Sequence, residues 1–161
     1  MKTNIPPCRI GDATIRPFRI NDYRAVVALW RRSEGVGLNE SDTRSAIALY
    51  LRRNPGLSFV AARDGQIIGA VLCGHDGRRG YLHHLAVTKR YRSHGIGRQL
   101  VNACLAKLRA LGIAKCNIFI FANNADGMQF WEHTGWNART ELRVMQFRLD
   151  DSCGKRNACS C

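Results

Sequence analysis

The chain has 161 residues, 45% of them apolar and 23% charged, the proportions of one folded globular domain rather than of a disordered segment. No apolar run approaches the ~20 residues of a membrane span, and residues 1–12 lack the apolar core of a signal peptide, so the cytoplasm is the expected compartment. Lysine and arginine outnumber aspartate and glutamate 25 to 12, and the net charge of +13 favours polyanionic partners such as nucleic acid, an anionic membrane surface or a multiply phosphorylated small molecule.

Residues 1–12 read as a leader without firm structure, broken by Pro6 and Pro7; residues 13–149 as one domain; residues 150–161 as a disordered, cysteine-containing tail. Residues 13–18 make a first strand. Asn21 or Asp22 then caps a helix carrying Val26, Val27, Leu29 and Trp30, which Gly35 and Gly37 end. Ser41 or Asp42 can cap a second helix with Ala46, Ile47, Leu49, Tyr50 and Leu51, closed by Asn54-Pro55-Gly56. Residues 57–62 and 66–73 are apolar strands joined at Asp64-Gly65, a two-residue hairpin signal. Asp76-Gly77 turns the chain into a strand beginning at Tyr81. A long helix follows, with Ile96, Leu100, Val101, Cys104, Leu105, Leu108 and Leu111 on one face and Gly112 past its end. Residues 115–121 read as a buried strand, parallel to the Tyr81 strand through a right-handed crossover. Residues 124–134 form a short helix, and residues 137–149 close the fold as an antiparallel strand.

Seven cysteines are present. Cys73, Cys104 and Cys116 fall inside elements, where a free thiol acts as a small apolar group. Cys153, Cys159 and Cys161 sit in a tail without histidine, a poor match to zinc-ligand spacing, and no metal is expected.

Between the Tyr81 strand and the long helix lies a basic turn: Lys89, Arg90, Arg92 and His94, then Gly95 and Gly97, with Arg98 at the helix start. No Asp or Glu occurs between Asp76 and Asp126. Cations at the positive end of a helix dipole are unfavourable unless an anion sits there, held by backbone N–H groups without helical partners. The turn therefore reads as a phosphate cradle. It is not a Walker loop, because no Gly-Lys-Ser/Thr follows, and Leu100 stands where a dinucleotide fingerprint wants a third small residue.

Residues 92–97, RSHGIG, resemble the (Q/R)-x-x-G-x-(G/A) signature of the GCN5-related N-acetyltransferase (GNAT) superfamily, and residues 124–136, NADGMQFWEHTGW, resemble its N-x-x-A-x-x-F-Y-x-x-x-G-F motif. The resemblance runs from about residue 13 to 149 and is strongest over 81–136. It implies an α/β (α+β type) fold: a mixed, mostly antiparallel twisted sheet with a splayed parallel central strand pair and about four flanking helices. It also implies an N-acetyltransferase, moving acetyl from acetyl-CoA to a primary amine by direct attack in a ternary complex. By that resemblance the backbone of Leu85, Ala86 and Val87 pairs with the pantetheine arm, and an N–H near Val87 polarises the thioester carbonyl. Amides of Arg92, Ser93, His94, Gly95, Ile96, Gly97 and Arg98 hold the pyrophosphate, the two arginine side chains adding charge-assisted contacts. Asn124 and Trp131 complete the cofactor side.

Two departures stand out. Gly127 replaces the motif's alanine, and Trp131 replaces the tyrosine whose hydroxyl often protonates the departing thiolate, a task an indole N–H cannot perform at neutral pH. The Tyr81 strand carries no carboxylate to act as base. His83 and His84 are adjacent and so alternate to opposite faces. His83, in parity with Tyr81 and Leu85, is the favoured base, with His84 structural and relayed water the substitute. Glu34 and Glu40 could bind a cationic acceptor. The acceptor itself, a small-molecule or peptide amine, is not legible, and a homodimer is left open. A non-catalytic acyl-CoA-binding regulatory module is the first alternative, prompted by the missing tyrosine and carboxylate. A basic nucleic-acid-binding domain is the second, disfavoured because the aromatics occupy core-like positions instead of alternating with cations. No membrane partner is expected.

Overall fold

The computed structural model describes residues 9–10 and 13–149. In chain order the elements are β1 (Arg9–Ile10), β2 (Ala13–Pro17), α1 (Tyr23–Arg31), α2 (Arg44–Arg53), β3 (Phe59–Arg63), β4 (Gln66–His75), β5 (Gly80–Val87), α3 (Ile96–Ala110), β6 (Cys116–Ile118) and α4 (Ala125–His133). The six strands lie side by side in sequence order, antiparallel throughout except for the parallel pair β5–β6. Part of the expected leader is therefore ordered: Arg9 and Ile10 pair with Thr14 and Ala13. The tail cysteines and Cys8 lie outside the described residues.

Both faces of the sheet are covered, which is why β3 and β4 read as nearly unbroken apolar runs. On one face, Phe59, Ala61, Val71, Cys73 and Leu82 pack beneath Leu100, Val101, Cys104 and Leu108 of α3. On the other, Val60, Ala70, Leu72 and Ala86 pack beneath Val26, Val27, Leu29 and Trp30 of α1 and Ile47 of α2. Trp30 is fully buried, and truncating such a side chain to alanine costs about 3–5 kcal/mol. Burial pushes the Cys104 thiol well up and the Cys116 thiol to about 12, so both remain inert apolar groups.

The helix starts differ from the expected caps. Asp22 precedes α1 without a side-chain cap bond to it. Its carboxylate instead accepts two 2.7 Å hydrogen bonds from Arg16 and one from the Arg19 N–H. Thr43, not Ser41 or Asp42, caps α2 through the Ala46 N–H. Asn39 and Asp42 instead close a 3-10 turn ahead of it, the Asn39 side chain accepting the Ser41 N–H and the Asp42 carboxylate accepting the Asn39 N–H. That frees the second Asp42 oxygen for another partner.

Two expected strands are corrected. The strand predicted at 115–121 is only Cys116–Ile118 and half-buried, with Phe119 and Phe121 exposed beyond it. The closing strand predicted at 137–149 is not formed; that stretch has no regular structure, and Leu142, Val144, Met145, Phe147 and Leu149 are all exposed. Its apolar residues fall out of step at Val144-Met145, so no single register buries both halves on one face. Among the described residues the parallel pair therefore stands at the edge of the sheet rather than at its centre.

Candidate active site

Strand β5 carries the site, and a bulge decides where its side chains point. Ala86 pairs with Ala70 and His83 with Leu72, so Val71 on β4 faces two residues, His84 and Leu85. His84 absorbs the extra residue with φ +52, a left-handed conformation rare outside glycine. Alternation breaks there. Leu82, Leu85 and Val87 face the α3 core, whereas Ala86 belongs to the α1 face. His83 packs edge-on against Tyr50 of α2, and His84 edge-on against Trp30 of α1, with ring centroids 6.3 and 4.9 Å apart. The expectation that the two histidines point to opposite faces is corrected: the inserted residue turns both to the helix side.

Their surroundings differ. His83 stacks on Tyr81 and on Phe119, just past β6. Burial, then the neighbouring His84, holds its pKa below the ordinary imidazole value, with Asp42 opposing. His84 Nε2–H donates to Asp42 Oδ1 at 2.8 Å, and Asp42 is itself buried. The other Asp42 oxygen accepts the Asn39 N–H, and the Asp42 carbonyl accepts the Tyr23 hydroxyl, both at 2.9 Å. Asp42 is the residue that sequence reasoning missed. The sequence offers Asp42 only as one of two possible caps for α2, and nothing local says that its carboxylate reaches the sheet.

Beyond Leu82 and Ile118 the parallel strands no longer pair. An open cleft of about 700 Å³ fills the gap, lined by residues 82–87, the basic turn, residues 118–120 and the α4 face with Asn124, Phe130 and Trp131. The cleft thus brings together Leu85, Ala86, Val87, Arg92, Ser93, Gly95, Ile96, Gly97, Arg98, Asn124 and Trp131 with both histidines. His94 is not among its lining residues; its Nδ1–H donates to the Arg92 carbonyl at 2.7 Å and braces the turn from outside.

The turn takes its shape from two left-handed residues, Ser93 at φ +62 and Gly95 at φ +78. Gly95 is the residue before α3, whose first regular bond runs from Gln99 N–H to the Gly95 carbonyl. The N–H groups of Ile96, Gly97 and Arg98 precede that bond and have no partner within the helix. The Arg92 side chain folds back, its Nε–H donating to the Val87 carbonyl at 3.2 Å and its guanidinium 3.9 Å from Glu34. Glu34 arrives from the end of α1, so the turn does have an acidic neighbour, remote in sequence. Gly35 sits so close to the Asn124 amide that a Cβ would overlap it, which draws the α1–α2 connection onto the start of α4. Asn124 caps α4, accepting the Gly127 N–H at 2.9 Å. Trp131 is buried, edge-on to Phe130 and Trp136, and forms core as well as cleft wall.

The model of the acetyltransferase (GNAT) family matches residues 23–136. The chain belongs to that family. It is 30% identical over 135 residues to an acetyltransferase of Sodalis glossinidius (strain morsitans), across 84% of this chain and 94% of the relative. Among solved structures it is similar to the PaiA N-acetyltransferase of Thermoplasma acidophilum in complex with coenzyme A, with TM-score 0.71, 19% identity and coverage of 79% and 91% of the two chains. It is also similar to the ribosomal-protein-alanine N-acetyltransferase of Brucella melitensis biovar Abortus, with TM-score 0.65, 19% identity and coverage of 84% and 99%. At these identities the solved structures share the fold. The expected superfamily and its mixed sheet with a parallel pair and four helices are thereby confirmed. Among the described residues no group of three or more His, Cys, Asp or Glu could hold a metal, and no helix is long and apolar enough to cross a membrane.

Proposed function

We propose that this acetyltransferase moves the acetyl group of acetyl-CoA to a primary amine, by direct attack within a ternary complex. One observation carries the reading. Followed along the chain, the wall of the cleft beside β5 begins with two histidines at one end and closes with a basic turn, left-handed at Ser93 and Gly95, at the other. An extended arm ending in phosphates fits those two ends in that order. The backbone of Leu85, Ala86 and Val87 lies past the last β5–β6 pair and suits a pantetheine arm added like a strand, with the Val87 carbonyl held by the Arg92 side chain. The amides from Arg92 to Arg98 suit a diphosphate at the head of α3. Asn124 and Trp131 would border the arm from the α4 side.

Acetyl-CoA would supply the activated acyl group, and the protein would supply position and charge. A backbone N–H near Val87 would stabilise the oxygen that becomes negative as the amine adds to the carbonyl. The carbon–nitrogen bond forms, the carbon–sulfur bond breaks, and the electron pair leaves on sulfur. Trp131 cannot protonate that sulfur, so a thiolate would depart and receive, relayed through water, the proton that the nitrogen loses. The same reading makes this a cytoplasmic enzyme with a small-molecule or peptide acceptor. Calorimetry with CoA, followed by thiol release from acetyl-CoA in the presence of amines, tests it. Folded protein with no affinity for CoA or acetyl-CoA refutes the reading.

A further inference from the structure

We propose that His84, oriented by Asp42, is the general base that takes the proton from the acceptor amine. The inference rests on the acetyl-transfer reading and deepens it by assigning the proton path. Two observations lead to it. His84 is one of the residues lining the cleft, next in sequence to the strand backbone that the acyl group would reach. Its Nε2–H is committed to Asp42 Oδ1 at 2.8 Å, which fixes the neutral tautomer with Nδ1 as the lone-pair nitrogen.

The pair is built rather than incidental. Asp42 is buried on the 3-10 turn before α2, and the Asn39 N–H occupies its second oxygen, so the carboxylate cannot swing away. The Tyr23 hydroxyl holds the Asp42 carbonyl from α1. The Trp30 ring packs edge-on against the imidazole from the same helix. The bulge that turns His84 inward places the residue in a left-handed conformation, which costs about 1–3 kcal/mol in a non-glycine residue. The ionisable groups facing His84 are Asp42 from the α1–α2 connection and His83 from its own strand. His83 has no carboxylate within hydrogen-bond reach; it stacks on Tyr81 and Phe119 and meets Tyr50 edge-on, a wall for the acceptor rather than a proton carrier.

The protons balance as follows. The acceptor arrives as an ammonium, and His84 Nδ1 takes one proton, leaving a neutral amine and an imidazolium held by Asp42. The amine adds to the thioester carbonyl, the carbon–sulfur bond breaks, and the second nitrogen proton passes through water to the thiolate. His84 then returns its proton to solvent. One proton is released for each acetyl moved.

The test compares wild type, His84→Gln, Asp42→Asn and His83→Phe. Each is assayed for CoA affinity, for melting temperature, and for kcat/KM against pH with spermidine, kanamycin, a lysine peptide and a peptide with a free N-terminal alanine. His84→Gln and Asp42→Asn are expected to bind CoA within about threefold of wild type and to lose roughly 10²–10⁴-fold in kcat, the span of general-base catalysis. The wild-type profile carries two ionisations, the amine and the imidazole, and His84→Gln keeps the amine's alone. His83→Phe is expected to change KM and to keep both. A His84→Gln protein that retains kcat within about threefold, or keeps both ionisations, overturns the base while leaving acetyl transfer intact. Loss of the second ionisation in His83→Phe moves the role to His83 and overturns the assignment. Wild type that binds CoA yet acetylates none of the four amines overturns acetyl transfer and the base together.

Discussion

Replacing Gly95 with alanine separates the shape of the basic turn from its chemistry. Gly95 sits at φ +78, and a Cβ there would meet only the Gln99 Nε2 atom, at 4.0 Å. No clash is created, so the whole cost is conformational. A left-handed L-residue pays about 1–2 kcal/mol, partly offset by the stiffer unfolded chain, about 0.4–1 kcal/mol. The net is about 1 kcal/mol, a fall in Tm of roughly 2–4 °C for a domain of this size. Ligand binding should suffer more. If the strained turn relaxes and misaligns one amide that donates to a charged oxygen, about 1.5–3 kcal/mol goes, roughly a tenfold to hundredfold loss of CoA affinity. Pantetheine, which lacks the diphosphate, should lose almost nothing. Calorimetry with both ligands, beside a thermal melt, reads all three quantities. A Tm that falls as expected while CoA affinity stays within twofold would show that the turn needs its shape but does not grip phosphate. Equal losses for CoA and pantetheine would also refute the cradle, by pointing to general damage of the cleft.

Three further outcomes are expected. Asp22→Asn removes the paired hydrogen bonds from Arg16, which hold the carboxyl below its ordinary value, helped by the Arg19 N–H and opposed by burial. Because the folded value is depressed, the stabilisation is present above the unfolded value near ~3.9 and is lost as pH falls through the folded value. With Arg16 about a third exposed, Asp22→Asn should cost about 1–2 kcal/mol in urea melts at neutral pH, and the gap to wild type should shrink in acid. A gap that persists or widens below that range would contradict the ion-pair origin. Glu34→Gln removes the carboxylate 3.9 Å from Arg92 and should tighten CoA binding at low salt, the gain fading as salt is raised, in a titration series by calorimetry. Weaker binding would make Glu34 part of the ligand contact. Leu142→Ser with Phe147→Ser alters side chains that are 61% and 84% exposed, so the melting temperature should move by less than about 2 °C, in line with the ~0.5 kcal/mol scale of surface substitutions. A loss of several kcal/mol would mean that this stretch packs on the sheet.

Local chemistry made most of the scaffold legible. Of the α3 face its spacing announced, Ile96, Leu100, Val101, Cys104 and Leu108 are buried and Leu105 is partly so, while Leu111, just past the helix end, is exposed. Asp64-Gly65 does make the β3–β4 hairpin, with Arg63 paired to Gln66 across it. Asn124 does open α4. These features depend on neighbours within a few residues, which a linear reading can weigh. The last strand could not be judged in that way. Residues 137–149 have strand-like composition, but pairing depends on a matching edge, and β6 offers only three paired residues before it diverges from β5.

The histidines show the same limit at the site itself. A strict period of two is the correct prior for any strand, and it assigned His83 and His84 to opposite faces. One inserted residue was enough to cancel it. The bulge cannot be seen in GYLHHLAV, because its cause lies across the sheet and beyond: Val71 opposes two residues, and buried Asp42, forty-two positions away, holds the turned imidazole. Each partner serves the other. Without His84 the buried Asp42 carboxylate would keep only the Asn39 N–H and leave Oδ1 without a donor, and without Asp42 the imidazole would lose the hydrogen bond that orients it. Together they satisfy each other's hydrogen bond at the mouth of the cleft. The unit to look for in a related sequence is therefore the pair, an acid at the end of the α1–α2 connection with a histidine at the bulge. A chain that keeps the histidine but lacks the acid should need another base.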